Sequence, residues 1–230
     1  MMKKTGLLLA LLPLCAVAED WKGSGELGFT STSGNSDSQT LSTKLNFIQK
    51  QDKWAHAIDL SVLKTSTNNV DSADALILAE KTDYKVAEKA YVFASFRYEN
   101  DKFSGFDSQT SAAAGMGSRF IDDKKESLDL SAGLGLKRLK VSGGDSSSGG
   151  ILTLQGKYKN QLSEHASFQQ DLLFEIGDVN THSESISALK MKIAGNLSSV
   201  LSYTVKNNSD VPVGVEKTDA ITSIALGYDF

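Results

Sequence analysis

Three charged residues alternate along one short stretch of the chain, at Arg97, Glu99 and Asp101. In an extended strand, residues two apart point to the same face, so these charges would share a face while Phe96 and Tyr98 occupy the other. Charged side chains lining a channel form a constriction that selects ions. The same residues can instead form an internal salt-bridge network, because buried charges must be paired. The stretch itself leaves both interpretations open.

Similar charges occur on the polar faces of later stretches, where both signs are nearly in balance. We therefore expect a constriction built from Arg97, Glu99, Asp101, Arg119, Asp129 and Lys137. Balanced charge favours internal ion pairs or a weakly selective pore over a strongly charged filter.

A hydrolytic site is the alternative, and the only residues that suggest one are His182 and the adjacent Ser183 and Glu184. A hydrolase needs a nucleophile and a base within hydrogen-bond reach of each other. Serines are abundant in such segments by chance, so we expect no enzyme and no catalytic residue.

No cofactor or metal site is expected either. The stretch "GSGELG" (23–28) satisfies the dinucleotide pattern but lies in an alternating strand rather than before a helix. Loop carboxylates could bind divalent cations that bridge lipopolysaccharide, but ordinary solvated loops are the favoured explanation; they are Asp37, Asp71, Asp74, Asp145 and Asp210.

The elements that would position these residues are strands, because hydrophobicity after residue 20 has a period of two, with turn residues between the runs. Twelve strands are predicted, at about 21–31, 38–49, 53–64, 75–86, 90–101, 109–121, 127–140, 151–161, 165–176, 182–193, 197–207 and 218–230. Each is about ten to fourteen residues long, close to the length that a tilted strand needs to cross a bilayer.

An even number of long alternating strands predicts an all-β fold, a transmembrane antiparallel β-barrel with both termini in the periplasm. Short turns would join the strands on that side, and longer loops such as 65–74 and 142–150 would lie on the other. Half of the aromatic residues fall near the predicted periplasmic ends, as in an aromatic girdle. Two places break the alternation: Glu80 would face lipid, and the strand at 182–193 alternates poorly.

The first 18 residues read as a secretory signal peptide, with Lys3 and Lys4 before a short apolar run and a small-x-small cleavage site at Ala16 and Ala18. Residues 19–230 would then form a single barrel domain. Removing the two lysines changes the formal net charge from −4 to −6, so nucleic acid is not an expected partner. The only cysteine, Cys15, would leave with the signal, so no disulfide is expected.

The last strand ends on an aromatic residue, with Ile224, Leu226, Tyr228 and Phe230 on one face. A barrel has no free edge, so its last strand must pair with the first. An alternating apolar strand that ends in an aromatic residue also looks like the C-terminal signal read by the barrel-assembly machinery of Gram-negative bacteria.

The chain resembles the YdiY-like family of salt-induced outer-membrane proteins, a domain of unknown function. The most specific matching stretches are "YENDKFSGFD" (98–107) and "NNSDVP" (207–212), and the resemblance extends over nearly all of residues 25–230. It implies location in the outer membrane, contact with lipid and lipopolysaccharide, and a link to osmotic stress, but no catalytic residue.

Two functions follow as expectations. The first is a narrow passive channel for ions or small solutes in osmotic stress. The second is a barrel that does not transport and has a structural or envelope-interaction role. An outer-membrane hydrolase using His182 is a remote third. Oligomeric state is left open by the sequence.

Overall fold

The computed structural model describes residues 21–32, 38–68, 70–101 and 104–230. The predicted signal peptide, with Ala16 and Ala18, lies outside the described residues, as do Asp37 and the other residues of the first loop from 33 onward.

In the described part of the chain, twelve antiparallel strands form a closed barrel, which confirms the predicted all-β antiparallel barrel, while the periplasmic location of both termini stays a prediction. They are β1 (Trp21–Thr32), β2 (Ser38–Gln51), β3 (Trp54–Thr67), β4 (Val70–Lys85), β5 (Ala90–Asp101), β6 (Phe106–Asp122), β7 (Glu126–Val141), β8 (Ser146–Gln161), β9 (Ala166–Gly177), β10 (His182–Ala194), β11 (Leu197–Asn208) and β12 (Thr218–Asp229). Each strand pairs with its neighbours in sequence, and β12 pairs with β1 to close the ring. Among the described residues, no helix is long and apolar enough to cross a membrane.

Closure depends on the last residue of the chain. The Gly23 amide donates to the Phe230 carbonyl at 2.8 Å, and the Phe230 amide donates to the Gly23 carbonyl at 2.9 Å. The Phe230 ring lies directly over Gly23, where a Cβ atom would come within 2.2 Å of the ring. A residue without a side chain is therefore what allows this ring to lie against β1.

The wall of the barrel is apolar outside and polar inside. On β7, Leu134 and Leu136 are each 72% exposed, whereas Ser131 and Lys137, which have the opposite parity, are buried. An outward apolar band with a polar interior is the pattern of a transmembrane barrel.

The two ends of the barrel differ. We call the end that carries Trp21 and Phe230 the terminal end and the opposite end the loop end. Outward aromatic residues meet at the terminal end, where Trp54 and Tyr84 lie 4.8 Å apart and Phe47 and Phe230 6.0 Å apart between ring centroids. These residues belong to the predicted aromatic girdle.

The prediction of long loops at 65–74 and 142–150 is wrong. β4 begins at Val70 and β8 at Ser146, each about five residues before its predicted start. Serine, glycine and aspartate there continue the antiparallel ladder, with Ser146 opposite Lys140 and Gly150 opposite Leu136. The register established in the apolar band carries the pairing onward, so strand replaces most of both predicted loops, and β7 and β8 are joined by a short turn in which Gly143 has a φ of 66°.

Glycines face the lumen where β6 meets β7. A Cβ atom on Gly115 would lie 2.1 Å from the Ala132 carbonyl oxygen and 2.4 Å from Gly133 Cα. These are backbone atoms of the neighbouring strand, which cannot rotate away. The wall approaches itself here as closely as it does because no side chain intervenes.

Both predicted interruptions of the alternation lie on the outer wall. Glu80 shares the outward parity of Leu78 and Tyr84 on β4. On β10 the outward positions include Ser185 and Ser187, which hydrogen-bond the Gln170 side chain of β9. The inward positions of β10 carry His182 and Glu184 at its loop-end half.

Candidate lumen site

A cluster of six charged side chains lies in the lumen at the level of Glu99. We call it the lumen cluster; its members are Arg97 and Glu99 of β5, Lys137 of β7, Glu175 of β9, Glu184 of β10 and Lys206 of β11. Each strand contributes these residues at inward positions, so the period-two alternation of the wall is what brings them together.

One half of the cluster is built around Glu99. The Arg97 guanidinium donates from Nη2 to Glu99 Oε2 and to Glu184 Oε2, each at 2.8 Å. Lys206 Nζ donates to the other oxygen of Glu99 at 2.5 Å. Glu99 thus holds a cation on each carboxylate oxygen, one from its own strand and one from β11.

The other half pairs Lys137 with Glu175. Lys137 Nζ lies 2.9 Å from Glu175 Oε2, and the Ser111 hydroxyl donates to Glu175 Oε1 at 2.5 Å. Both carboxylate oxygens are therefore occupied here as well. Charge-assisted hydrogen bonds of this kind are stronger than those between neutral groups.

The bond between Lys206 and Glu99 crosses the barrel. β5 and β11 are six positions apart in a ring of twelve strands, so they lie on opposite walls. The bond from Arg97 to Glu184 of β10 spans nearly the same distance around the ring. Side chains from opposite walls therefore meet in the middle of the lumen and bridge it.

The cluster is largely buried. Lys137 is 2% exposed, Glu99 3% and Glu175 5%. Its three cations and three carboxylates cancel, as burial at low dielectric requires, because an unpaired buried charge would be strongly destabilising.

His182 completes the layer without joining an ion pair. Its Nδ1 lies 3.1 Å from Asn208 Oδ1, which also accepts a hydrogen bond from Asn180 at 2.8 Å. His182 Nε2 and Gln109 Oε1 are buried without a hydrogen-bond partner among the residues that the structure describes. Both residues line a cavity of about 10 Å³ beside the cluster. This is about the volume that one water molecule needs, and a water there would satisfy both atoms.

The chemistry of the cluster does not favour a metal. Glu99, His182 and Glu184 have potential ligand atoms within 4.8 Å of one another. The Arg97 guanidinium, however, already lies between the two carboxylates, at 2.8 Å from each. A divalent cation would have to displace it and would add charge to a neutral, buried group.

A second charged region lies nearer the terminal end. Lys81 Nζ sits 4.9 Å from the Tyr91 ring centroid and 4.8 Å from that of Phe93, with Asp83 at 3.6 Å. The Tyr91 hydroxyl donates to Asp129. Aromatic faces attract a cation in this arrangement, so the lysine is held by rings as well as by carboxylate.

The barrel opens toward the terminal end into a wider space. A cavity of about 340 Å³ lies under the β6–β7 turn, lined by residues of both signs that include Lys50, Arg119, Glu126, Asp129 and Lys159. We call this cavity the vestibule. The lumen is therefore packed at the level of Glu99 and open between that level and the terminal end.

The six residues of the predicted constriction fall at different levels. Arg97, Glu99 and Lys137 belong to the lumen cluster. Arg119 and Asp129 approach to 3.9 Å at the vestibule, and Asp101 ends β5 at the loop end. The structure thus separates residues that the sequence grouped together, and the role of the set as a constriction stays a prediction.

Three members of the lumen cluster, Glu175, Glu184 and Lys206, were not among the residues of the predicted constriction. The parity of Glu175 and Lys206 indicates that they face the lumen, but it does not tell which wall they meet. Glu184 lies on β10, whose poor alternation hid its orientation. His182 was considered only as a hydrolase residue, and parity with Glu184 was the available signal that both face inward.

Comparisons with known proteins agree with this architecture. The NanC porin has a TM-score of 0.53 and 12% identity, over 91% of this chain and 98% of that one. The COG4313 outer membrane channel from Pseudomonas putida F1 has a TM-score of 0.50 and 11% identity, over 92% and 95%. At such identity the similarity shows the fold alone. No curated protein matches the sequence significantly.

The family described as "Protein of unknown function, DUF481" matches residues 25–230. This range includes all the strands except the first four residues of β1. The match agrees with the resemblance to a domain of unknown function in the sequence analysis. The chain belongs to this family.

Proposed function

We propose that the protein is a narrow passive channel of the outer membrane for ions or small solutes in osmotic stress, whose lumen is held closed by the lumen cluster. The apolar outer wall, the polar lumen and the fold shared with a porin and an outer membrane channel support this proposal. Export through a cleaved signal peptide and induction by salt belong to the same proposal, the first from residues 1–18 and the second from the family resemblance.

The bond between Lys206 and Glu99 is the observation that carries the proposal. It bridges the lumen with two long, flexible side chains, not with a backbone segment. Side chains change rotamer on a far shorter timescale than strands rearrange. A layer of this kind can therefore open and close while the barrel stays intact.

Opening has a clear electrostatic requirement. Separating Lys206 from Glu99 leaves two unpaired charges, and each then needs water or an ion as its new partner. The vestibule supplies an approach for water from the terminal end, and its lining of both signs is suited to neither cations nor anions alone. We therefore expect weak ion selectivity.

A barrel without transport is the second candidate, and the burial of the cluster favours it. Complete pairing of six charges at 1–15% side-chain exposure is also what a network that only stabilises the barrel would show. In this role the cluster would be permanent, and the protein would act through its surface in the envelope.

The geometry gives the hydrolase no support. His182 is 1% exposed and lies within the layer, and Glu184 is bound to Arg97. Ser183 has the opposite parity, so it lies on the outer wall, away from the His182 ring.

Single-channel recording from the folded barrel in planar bilayers tests the proposal. Heat-modifiable gel migration would first verify folding, and a heat-unfolded sample is the control. We expect brief openings of small amplitude separated by long closed periods. A barrel silent at every voltage would favour the second candidate, and steadily open large steps would show that the cluster does not close the lumen.

A further inference from the structure

A chain of polar side chains interrupts the apolar outer wall on β3 and β4. We call it the outer polar chain; its members are His56, Thr82 and Glu80. The Thr82 hydroxyl donates to Glu80 Oε1 at 2.5 Å and lies 2.8 Å from His56 Nδ1. Because the hydroxyl hydrogen is committed to Glu80, His56 Nδ1 must be the donor in the second bond.

Glu80 lies within the apolar band, and His56 and Thr82 lie between Glu80 and the aromatic girdle. His56 and Thr82 are paired at the first outward position past the Trp54–Tyr84 aromatic pair. Glu80 is at the next outward position toward the loop end, opposite Ile58. On its other side Glu80 is opposite Phe96, which is 41% exposed. Ionisable groups in lipid are costly, and they are found where a partner satisfies them.

Each end of the outer polar chain keeps one unused polar atom. Among the described residues, no hydrogen bond is made by His56 Nε2 or by Glu80 Oε2. One end therefore presents a ring nitrogen and the other a carboxyl oxygen, two atoms that can share one proton, and a single hydroxyl separates the two ends. This is a self-complementary pair.

We propose that the outer polar chain is an interface between two copies of this protein. A twofold axis along the membrane normal brings residue i of one copy to residue j of the other and j to i. His56 Nε2 of each copy then shares a proton with Glu80 Oε2 of the other. Two equivalent hydrogen bonds form, and neither ionisable group is left facing lipid.

The neighbours of the chain suit such an interface. Trp54 stacks on His56 with ring planes 4° apart, which fixes the imidazole against the wall. Outward Leu76 and Leu78 continue the strip toward the loop end and supply an apolar surface beside the polar contact. Trp and Tyr are enriched at protein–protein interfaces.

Cysteine cross-linking in lipid vesicles tests the proposal, in a Cys15→Ser background that has no other thiol. Ile58→Cys places a thiol beside Glu80, and Leu172→Cys on β9, six strands away around the ring, is the matched control. We expect a cross-linked dimer from position 58 and none from position 172 after oxidation or with a short thiol cross-linker. Equal yields at the two positions, or no dimer at position 58, would overturn the interface.

A second variant tests whether the dimer depends on the polar contact or arises from chance collision of barrels in the membrane. Adding Glu80→Leu and Thr82→Val to Ile58→Cys makes the wall apolar, and we expect the dimer yield to fall at least fivefold in barrels that still show heat-modifiable migration. An unchanged yield would contradict the role of the chain. Parallel vesicles of phosphatidylcholine and phosphatidylethanolamine address lipid as the occupant: dimers that disappear when the headgroup is an amine would assign Glu80 to lipid and overturn the proposal.

Discussion

Lys206 and Glu99 lie 2.5 Å apart between Nζ and Oε1, although their strands stand on opposite walls of a twelve-stranded barrel. The contact is the middle of a neutral layer in which three cations and three carboxylates pair completely. Because the layer is buried, removing one charged side chain leaves its partner unpaired and destabilises the barrel.

Removing one member of the Lys137–Glu175 pair should cost far more than removing both. Lys137→Met leaves the Glu175 carboxylate buried without a cation, and we expect a loss of about 3–5 kcal/mol in the free energy of unfolding. Lys137→Met with Glu175→Gln removes both charges, and its loss should be below about 2 kcal/mol, as for neutral replacement of buried pairs. Urea unfolding in lipid vesicles, followed by tryptophan fluorescence, measures both. A double variant less stable than Lys137→Met would contradict the pairing.

Close approach of β6 and β7 predicts that Gly115 tolerates no side chain. Gly115→Ala places a methyl group against the Ala132 carbonyl, and we expect a loss of about 1–3 kcal/mol from overpacking. Gly150→Ala on β8 is the matched control, because its Cβ atom would meet nothing closer than 4.0 Å. We expect the control to stay within about 0.5 kcal/mol of the wild type. Equal losses in the two variants, measured by thermal unfolding on gels, would argue against the close approach.

Phe230 should matter more for assembly in cells than for the stability of the finished barrel. Phe230→Ala keeps the two backbone bonds to Gly23 and loses the ring contact with Phe47. We expect near-normal refolding into vesicles in vitro and a severalfold lower amount of folded barrel in cells. Phe174→Ala, an outward aromatic of β9, is the control for loss of a lipid-facing ring. If it lowers the cellular amount as much, Phe230 carries no assembly signal beyond its hydrophobicity.

The sequence predicted the strands and the inward face well because both depend on local alternation. Arg97 and Glu99 were placed in the lumen from their spacing alone. The partner of Glu99 could not be predicted in the same way, because Lys206 is 107 residues away and the contact depends on which strands face each other in the closed ring. Strand number and stagger together set that relationship.

Two local patterns misled the sequence analysis for physical reasons. The polar composition of 142–150 is typical of a loop, yet the register of β7 and β8 carries pairing through Ser146–Gly150. On β10, Ser185 and Ser187 face outward while Ile186 faces inward, so polarity did not reveal that Glu184 belongs to the lumen cluster. Parity counted from a well-defined neighbouring strand would have oriented it correctly.

The conductance of a barrel lacking the Glu99–Lys206 bond shows whether the lumen cluster closes the channel. Glu99→Ser with Lys206→Ser removes the bond without changing the net charge, and the Arg97–Glu184 and Lys137–Glu175 pairs remain. Asp107→Ser with Lys140→Ser is the matched control, because it removes an exposed ion pair of 3.2 Å at the loop end. We predict frequent openings, with a mean current at least severalfold above wild type, for the first variant and wild-type currents for the control. A folded Glu99→Ser/Lys206→Ser barrel that conducts no more than the wild type would contradict the account.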